Sequence, residues 1–208
     1  MPKPNDFHIG VIEFFSILLP GALLTAALVG RFHPELAEPL RSLLAPAGAD
    51  WVAFALASYA AGHFVFLVAA MLDGLVYDRL ELWKRFRGGA DHCYLRATEA
   101  RQAFFGTLER DVPMNSFAWA KSVLRLRAPA ALADVERYEA DSKFFRSLVV
   151  VIPVTAVLLA ASPLLAALAA ALTLASFFRY AERRYKSTEW AYRYLLVLIE
   201  TPSPDPRR

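Results

Sequence analysis

Ionisable and hydroxyl side chains inside long apolar runs are the residues of this sequence best placed to do chemistry. Glu13, His63 and Asp73 lie within such runs or at their ends, and Ser58 and Tyr59 lie about one turn before His63. Charged groups in lipid are costly unless they face a cavity or a partner. These five residues are therefore candidates for lining an ion or proton pathway. The alternative is that they pair with neighbouring residues and hold helices together.

Basic residues mixed with aromatic residues form a second candidate site, for an anionic ligand. Lys121 and Arg125 are four residues apart, which places them on one face of a predicted helix, and Arg127 is close by. A second group near the C-terminus contains Arg179, Arg183, Lys186, Arg193 and Trp190. Such mixtures suit a nucleotide or an oligonucleotide with stackable bases. The alternative is contact with anionic lipid head groups, or ordinary solvated charge.

Motifs for catalysis and metal binding are absent from the sequence. There is no glycine-rich phosphate loop and no GxSxG or HExxH motif, and the four histidines are scattered. The single cysteine, Cys93, excludes an intramolecular disulfide and a CxxC metal site. We therefore predict a protein that is not an enzyme and that needs no cofactor or metal.

The composition indicates an integral membrane protein. Hydrophobic residues make up 57% of the 208 residues, and the 21% that are charged are segregated into blocks. The apolar region 148–178 is too long for one span of about 20 residues, and Ser162 and Pro163 divide it. We therefore predict an all-α fold with four transmembrane helices.

These spans divide the chain into membrane and polar segments. Residues 11–74 are predicted to form one hairpin with an outer loop at 31–50, and residues 147–178 a second hairpin. Residues 75–146 form a helical module, in which Asn115 or Ser116 caps a helix that ends near Arg127 and Pro129 starts the next helix. Residues 179–200 form a C-terminal helix, residues 1–10 an N-terminal tail, and residues 201–208 a disordered tail.

The distribution of Lys and Arg gives these spans a direction. Thirteen basic residues flank the proposed inner side of the membrane, whereas Arg31 and Arg41 are the two on the outer side. Cytoplasmic flanks carry the excess of basic residues in membrane proteins. We therefore expect both termini and the module at 75–146 to be cytoplasmic. The N-terminal run has no clear cleavage site and is interpreted as retained.

Residues of the C-terminal helix recur at alternating spacings of three and four: Phe178, Ala181, Tyr185, Thr188, Tyr192, Leu195 and Ile199. This pattern is typical of a helix that buries one face. The partner of that face is either a second copy of the chain or the helices of the module. Both alternatives stay open at the level of the sequence.

Four segments resemble a group of small bacterial membrane proteins: LLPG at 18–21, SYAAGHFVF at 58–66, LDGLVYDRL at 72–80 and YEADSKFFRS at 138–147. In size and layout the chain resembles membrane effectors of nucleotide-signalled anti-phage defence, such as the channel effectors of the Hailong system. This resemblance implies a homo-oligomer, a tetramer, that forms a gated pore in the inner membrane and binds an oligonucleotide in its cytoplasmic part. It carries over no binding residue.

Two other functions compete with a gated channel. A non-conducting scaffold would recruit a soluble partner protein through residues 75–146. An intramembrane enzyme that acts on lipid would need Glu13, His63 and Asp73 to converge within hydrogen-bonding distance.

Overall fold

A computed structural model of the chain describes residues 16–32, 49–77, 92–106, 114–160 and 162–200. These residues form six α-helices, and they contain no strand. The helices are α1 (Ser16–Phe32), α2 (Ala49–Leu72), α3 (His92–Phe105), α4 (Ser116–Arg127), α5 (Pro129–Leu158) and α6 (Pro163–Glu200). The predicted all-α class is therefore confirmed. The predicted N-terminal and C-terminal tails, and most of the predicted outer loop, lie outside the described residues.

Two helical segments are long and apolar enough to cross a membrane, namely Trp51–Leu75 and α6. In the most apolar part of the first segment, 22% of the residues are buried within the chain. In the most apolar part of the second segment, 11% are buried. A core helix of a soluble protein is instead buried along its apolar face. α1 is a shorter apolar helix. Among the described residues, two of the four predicted spans therefore have the length and composition of a membrane helix.

Local sequence signals account for the ends of several helices. The Asn115 side chain accepts a hydrogen bond of 2.8 Å from the backbone N–H of Ala118, which confirms the predicted cap of α4. Pro129 begins α5, as predicted, and α5 runs unbroken through residues 138–147 into its apolar end. α6 begins at Pro163, where the missing N–H of proline is tolerated because the first turn has no use for it.

α1 and α2 approach each other closely at small residues. A Cβ atom on Gly21 would overlap the backbone carbonyl oxygen of Ser58 and would lie 2.6 Å from the backbone nitrogen of Gly62. A Cβ atom on Gly62 would in turn overlap the carbonyl oxygen of Ile17. Glycine at these positions lets two apolar helices pack backbone against backbone.

The described residues divide into two compact units. Unit 1 comprises those within Met1–Arg79 and Ala140–Glu182, and unit 2 those within Leu80–Glu139 and Arg183–Arg208. α5 and α6 therefore contribute residues to both units. The core of unit 2 comes from α3, α4, α5 and α6 and contains Ala97, Trp119, Ala120, Leu124, Leu132, Val135, Ala191, Tyr192 and Leu195.

The residues of the C-terminal helix that recur at spacings of three and four form a heptad-like pattern. Some of these residues are buried and others are exposed. Tyr192 and Leu195 are buried in the core of unit 2, as the intrachain alternative predicts. Phe178, Tyr185 and Ile199 are 65%, 45% and 47% exposed, respectively. Packing within the chain therefore accounts for part of the pattern, and association with a second copy stays a prediction for the exposed residues.

Candidate functional site

The predicted intramembrane residues lie in different surroundings. Glu13 is outside the described residues. Ser58 is fully buried where α1 crosses α2, and its hydroxyl has no hydrogen-bond partner within the described part of the chain. Tyr59 and His63 lie on an exposed face of α2, where their rings meet edge to face with centroids 4.6 Å apart. Ser58 therefore belongs to a helix contact, whereas Tyr59 and His63 lie on an exposed face of α2.

Asp73 joins three helical elements of unit 1. Its carboxylate accepts hydrogen bonds from the Arg146 guanidinium of α5 and from the Tyr180 hydroxyl of α6. The Arg146 side chain is 7% exposed, and its guanidinium carbon lies 5.0 Å from the ring centroid of Phe66. A buried cation without a counter-ion is strongly destabilising. Asp73 therefore supplies the charge that permits Arg146 to be buried, which is the pairing role considered for it above.

A change of helix type accompanies this cluster. α2 ends at Leu72, and Asp73 is the first residue of a π-helical turn, Asp73–Tyr77. A π turn re-aims side chains because it adds a residue to the turn, and such turns are frequent at functional sites. No heavy atom of the described residues lies within 4 Å of the position that a Cβ would take on Gly74. In this turn Asp73 contacts Arg146 and Tyr180, while the residue after it has no such neighbour in the described part of the chain.

The basic residues of α4 are partly neutralised by acidic residues of α5. Lys121 Nζ donates a hydrogen bond of 2.6 Å to Glu139, and the two side chains are 21% and 20% exposed. Arg125 pairs with Glu136 at 3.2 Å in a more exposed position. Arg127, at the end of α4, is exposed. These pairs join α4 to α5, and they reduce the positive charge that α4 offers to a ligand.

Two basic residues of α6 pair with acidic residues of the same helix. Arg179 bonds to Glu182 at 2.6 Å in unit 1, and Arg193 bonds to Glu189 at 2.5 Å in unit 2. Lys186 is partly buried and also has a partner. The two remaining residues predicted on α6, Arg183 and Trp190, line a common cavity.

This cavity has a volume of about 230 Å³ and lies between α5 and α6 in unit 2. We call it the arginine–aromatic pocket, and its lining residues are Asp134, Arg137, Tyr138, Arg183, Trp190 and Tyr194. The guanidinium carbon of Arg183 lies 5.3 Å from the ring centroid of Tyr138. The rings of Trp190 and Tyr194 have centroids 5.3 Å apart and are inclined by 33°. Two arginines and three aromatic rings therefore surround one space.

One hydrogen bond holds the acidic residue of the pocket. The Tyr194 hydroxyl donates to Asp134 Oδ2 at 3.1 Å. Tyr194 lies in the polar half of α6, where burial, and then the bond to Asp134, raise the pKa of its hydroxyl. The hydroxyl therefore stays protonated and keeps donating. Among the described residues no ion pair joins Asp134 to Arg137 or Arg183, and Arg183 already interacts with another residue of the chain.

The geometry suits a ligand that is both flat and negatively charged. Guanidinium groups bind carboxylate or phosphate through two parallel hydrogen bonds, and aromatic rings stack on planar groups. Arg183 and Trp190 were predicted from the sequence, whereas Arg137, Tyr138 and Tyr194 were not. Helical spacing would have indicated Tyr194, because Arg183, Trp190 and Tyr194 are separated by seven and four residues and so share one face of α6.

Comparisons with known proteins give no relative of this chain. No family model matches the sequence, and neither a curated protein nor a solved structure matches it. The function of the pocket and of the Asp73 cluster is therefore argued from their own chemistry.

Proposed function

We propose that the chain is an oligomeric channel or membrane-disrupting effector of the bacterial inner membrane, gated by an anionic nucleotide or oligonucleotide and acting in anti-phage defence. The position of the arginine–aromatic pocket carries this proposal. The pocket is built on α5 and α6, and each helix is unbroken between its pocket residues and an apolar segment, at 148–158 in α5 and 163–178 in α6. A ligand that shifts either helix would act directly on a segment in contact with lipid.

The proposed topology has four spans and cytoplasmic termini. α1 and the apolar end of α5 serve as the first and third spans, beside the two longer segments on α2 and α6. The excess of Lys and Arg on one side supports this direction. A reporter that is active only in the periplasm, fused after Arg193, is expected to be inactive. Activity of that fusion would contradict the topology.

Two polar rings at the middle of a span support an oligomeric pore. His63 lies at the midpoint of the segment Trp51–Leu75, and Tyr59 packs against it on the same exposed face. Polar side chains at this depth in the membrane are unfavourable against lipid. A second subunit or a water-filled path that covers this face would give the His63 imidazole a polar neighbour.

Ion flux in proteoliposomes tests the proposal directly. We expect purified protein to release a potassium gradient at least ten times faster when short oligonucleotides or mononucleotides are added. Arg183→Gln should remove this response because it takes a positive charge from the pocket. Arg125→Gln should leave the response intact, since that arginine is exposed, pairs with Glu136 and lies outside the pocket. Absence of flux under all of these conditions would contradict a channel.

A non-conducting scaffold is the second candidate, and exposed apolar residues of unit 2 favour it. Phe104 and Leu126 are 71% and 86% exposed, so both are accessible to a soluble partner. A scaffold predicts a monomer or dimer that binds a soluble protein and loses that protein when Leu126 is replaced by Asp. A ring of four subunits that conducts, in contrast, supports the channel.

A further inference from the structure

We propose that two copies of the chain meet through one face of α2, which we call the His63 face. It consists of five residues that are all exposed: Leu56, Ala60, His63, Leu67 and Ala70. This inference rests on the proposed function, in which the chain is an oligomer, and it names the surface and the partner, a second copy of the chain.

The His63 face lies opposite the side of α2 that is buried within the chain. The buried residues are Ser58, Gly62, Val65 and Ala69, and the first two meet α1. Because successive residues of an α-helix are turned by about 100°, the centre of the His63 face is about 150° around the helix from these buried residues. The contact with α1 therefore leaves the His63 face open to a second molecule.

The spacing of the face is that of a helix pair. Its five residues follow one another at intervals of four, three, four and three. Two parallel helices that wrap around each other bury residues at this spacing. Helices in a membrane also pair through small residues, which let the backbones approach, and Ala60 and Ala70 supply them.

The polar residue of the face can bond to its own copy. Copies inserted in one membrane share one direction, so a two-fold axis along the membrane normal brings His63 against His63 of the second copy. A neutral imidazole has one N–H donor and one nitrogen acceptor, and two of them are therefore complementary. A hydrogen bond between helices in lipid changes affinity by a factor of about 3 to 30.

Lipid suits a different face of α2. Phe64, Val68 and Met71 are 70%, 50% and 62% exposed, and they lie about 90° around the helix from the His63 face. All three are large and apolar, so lipid tails satisfy them. His63 is instead exposed at the middle of the segment Trp51–Leu75, at a depth where a polar ring against lipid is unfavourable.

A second copy also suits the His63 face better than a water-filled path. Leu56 and Leu67, on either side of His63, are 66% and 69% exposed, and they would line such a path with apolar side chains. A single polar residue in an otherwise apolar seam is typical of paired helices, in which it fixes the register.

Disulfide cross-linking of the full chain in vesicles of neutral lipid tests the interface. Cys93→Ser removes the one native cysteine. Into this background we place single cysteines on the His63 face, as Ala60→Cys or Leu67→Cys, and on the lipid-facing side, as Phe64→Cys or Val68→Cys. A disulfide needs Cα atoms within about 7 Å of each other. We therefore expect at least five times more cross-linked dimer from the first two variants than from the last two.

Energy transfer between labelled copies, measured as the protein is diluted with lipid, gives the affinity of the pair. His63→Leu removes the hydrogen bond and keeps an apolar side chain, so it should weaken the pair by a factor of about 3 to 30. Ala60→Phe should weaken it at least tenfold, because the ring separates the two backbones. Val68→Phe adds a ring on the lipid-facing side and is the matched control, which should leave the affinity unchanged.

Equal cross-linking at both sets of positions, a chain that stays monomeric at every dilution, or unchanged affinity in both His63→Leu and Ala60→Phe would overturn the inference. So would reaction of His63→Cys with a charged, water-soluble thiol reagent without cross-linking at positions 60 and 67, which would assign the face to a water-filled path. Cross-linking through the His63 face without ion flux contradicts the channel and leaves the interface standing. Nucleotide-dependent flux from a protein whose cysteines on this face do not cross-link contradicts the interface and leaves the channel standing.

Discussion

Replacing Asp73 by Asn decides between the two roles considered for this residue. The change keeps the size of the side chain and removes the charge that faces Arg146, which is only 7% exposed. Loss of one partner from a buried ion pair destabilises a protein by about 3–5 kcal/mol. Asp73 is 30% exposed, so water replaces part of the lost interaction. We therefore expect a loss of about 2–3 kcal/mol in the free energy of unfolding.

The assay is reversible unfolding in mixed micelles, followed by circular dichroism. Tyr180→Phe keeps the buried ring and removes one hydrogen bond to a carboxylate, and it should cost about 1–2 kcal/mol. Adding Arg146→Gln to Asp73→Asn should recover part of the loss, because the buried cation is then gone. An Asp73→Asn protein of unchanged stability but altered ion flux would refute the structural role and support a pore-lining one.

Three further changes test other contacts. Gly21→Ala should destabilise the contact between α1 and α2 by about 1–3 kcal/mol, measured by the same unfolding assay, because the new Cβ meets backbone; Gly74→Ala, in open space, is the control and should be neutral or stabilising. Asn115→Ala should cost about 1 kcal/mol through loss of the α4 cap, and an unchanged midpoint would contradict this. Arg96→Ala should have no measurable effect, since its pair with Glu200 is exposed on both sides.

The helices follow from local signals, which explains why they were predictable. The capping side chain of Asn115, the proline at position 129 and the break before Pro163 each act over a few residues. Apolar stretches likewise indicated the segments that can cross a membrane. The π turn at Asp73 has no comparable local signal, and it coincides with the contact that Asp73 makes with two distant helices.

Contacts between distant residues were not predictable from spacing. Asp73 is separated from Arg146 by 73 residues and from Tyr180 by 107. The sequence shows that a charge lies near the end of a span, but not which cation meets it. The heptad-like pattern has the same limit, because burial against the module and burial against a second copy require the same apolar face. The buried Tyr192 and the exposed Phe178 belong to one pattern and have different surroundings.

A count of basic residues overestimates a binding surface, because acidic side chains of other helices pair with some of them. Lys121 stands out among the basic residues of α4, yet its ammonium group is bound by Glu139 on the next helix, 18 residues away. A cation is available to a ligand only when no acidic side chain of the fold reaches it. In the pocket, the hydroxyl of Tyr194 holds the Asp134 carboxylate, and no ion pair joins Asp134 to Arg137 among the described residues. A neutral tyrosine, which no count of charges would select, therefore affects whether Arg137 is available to a ligand.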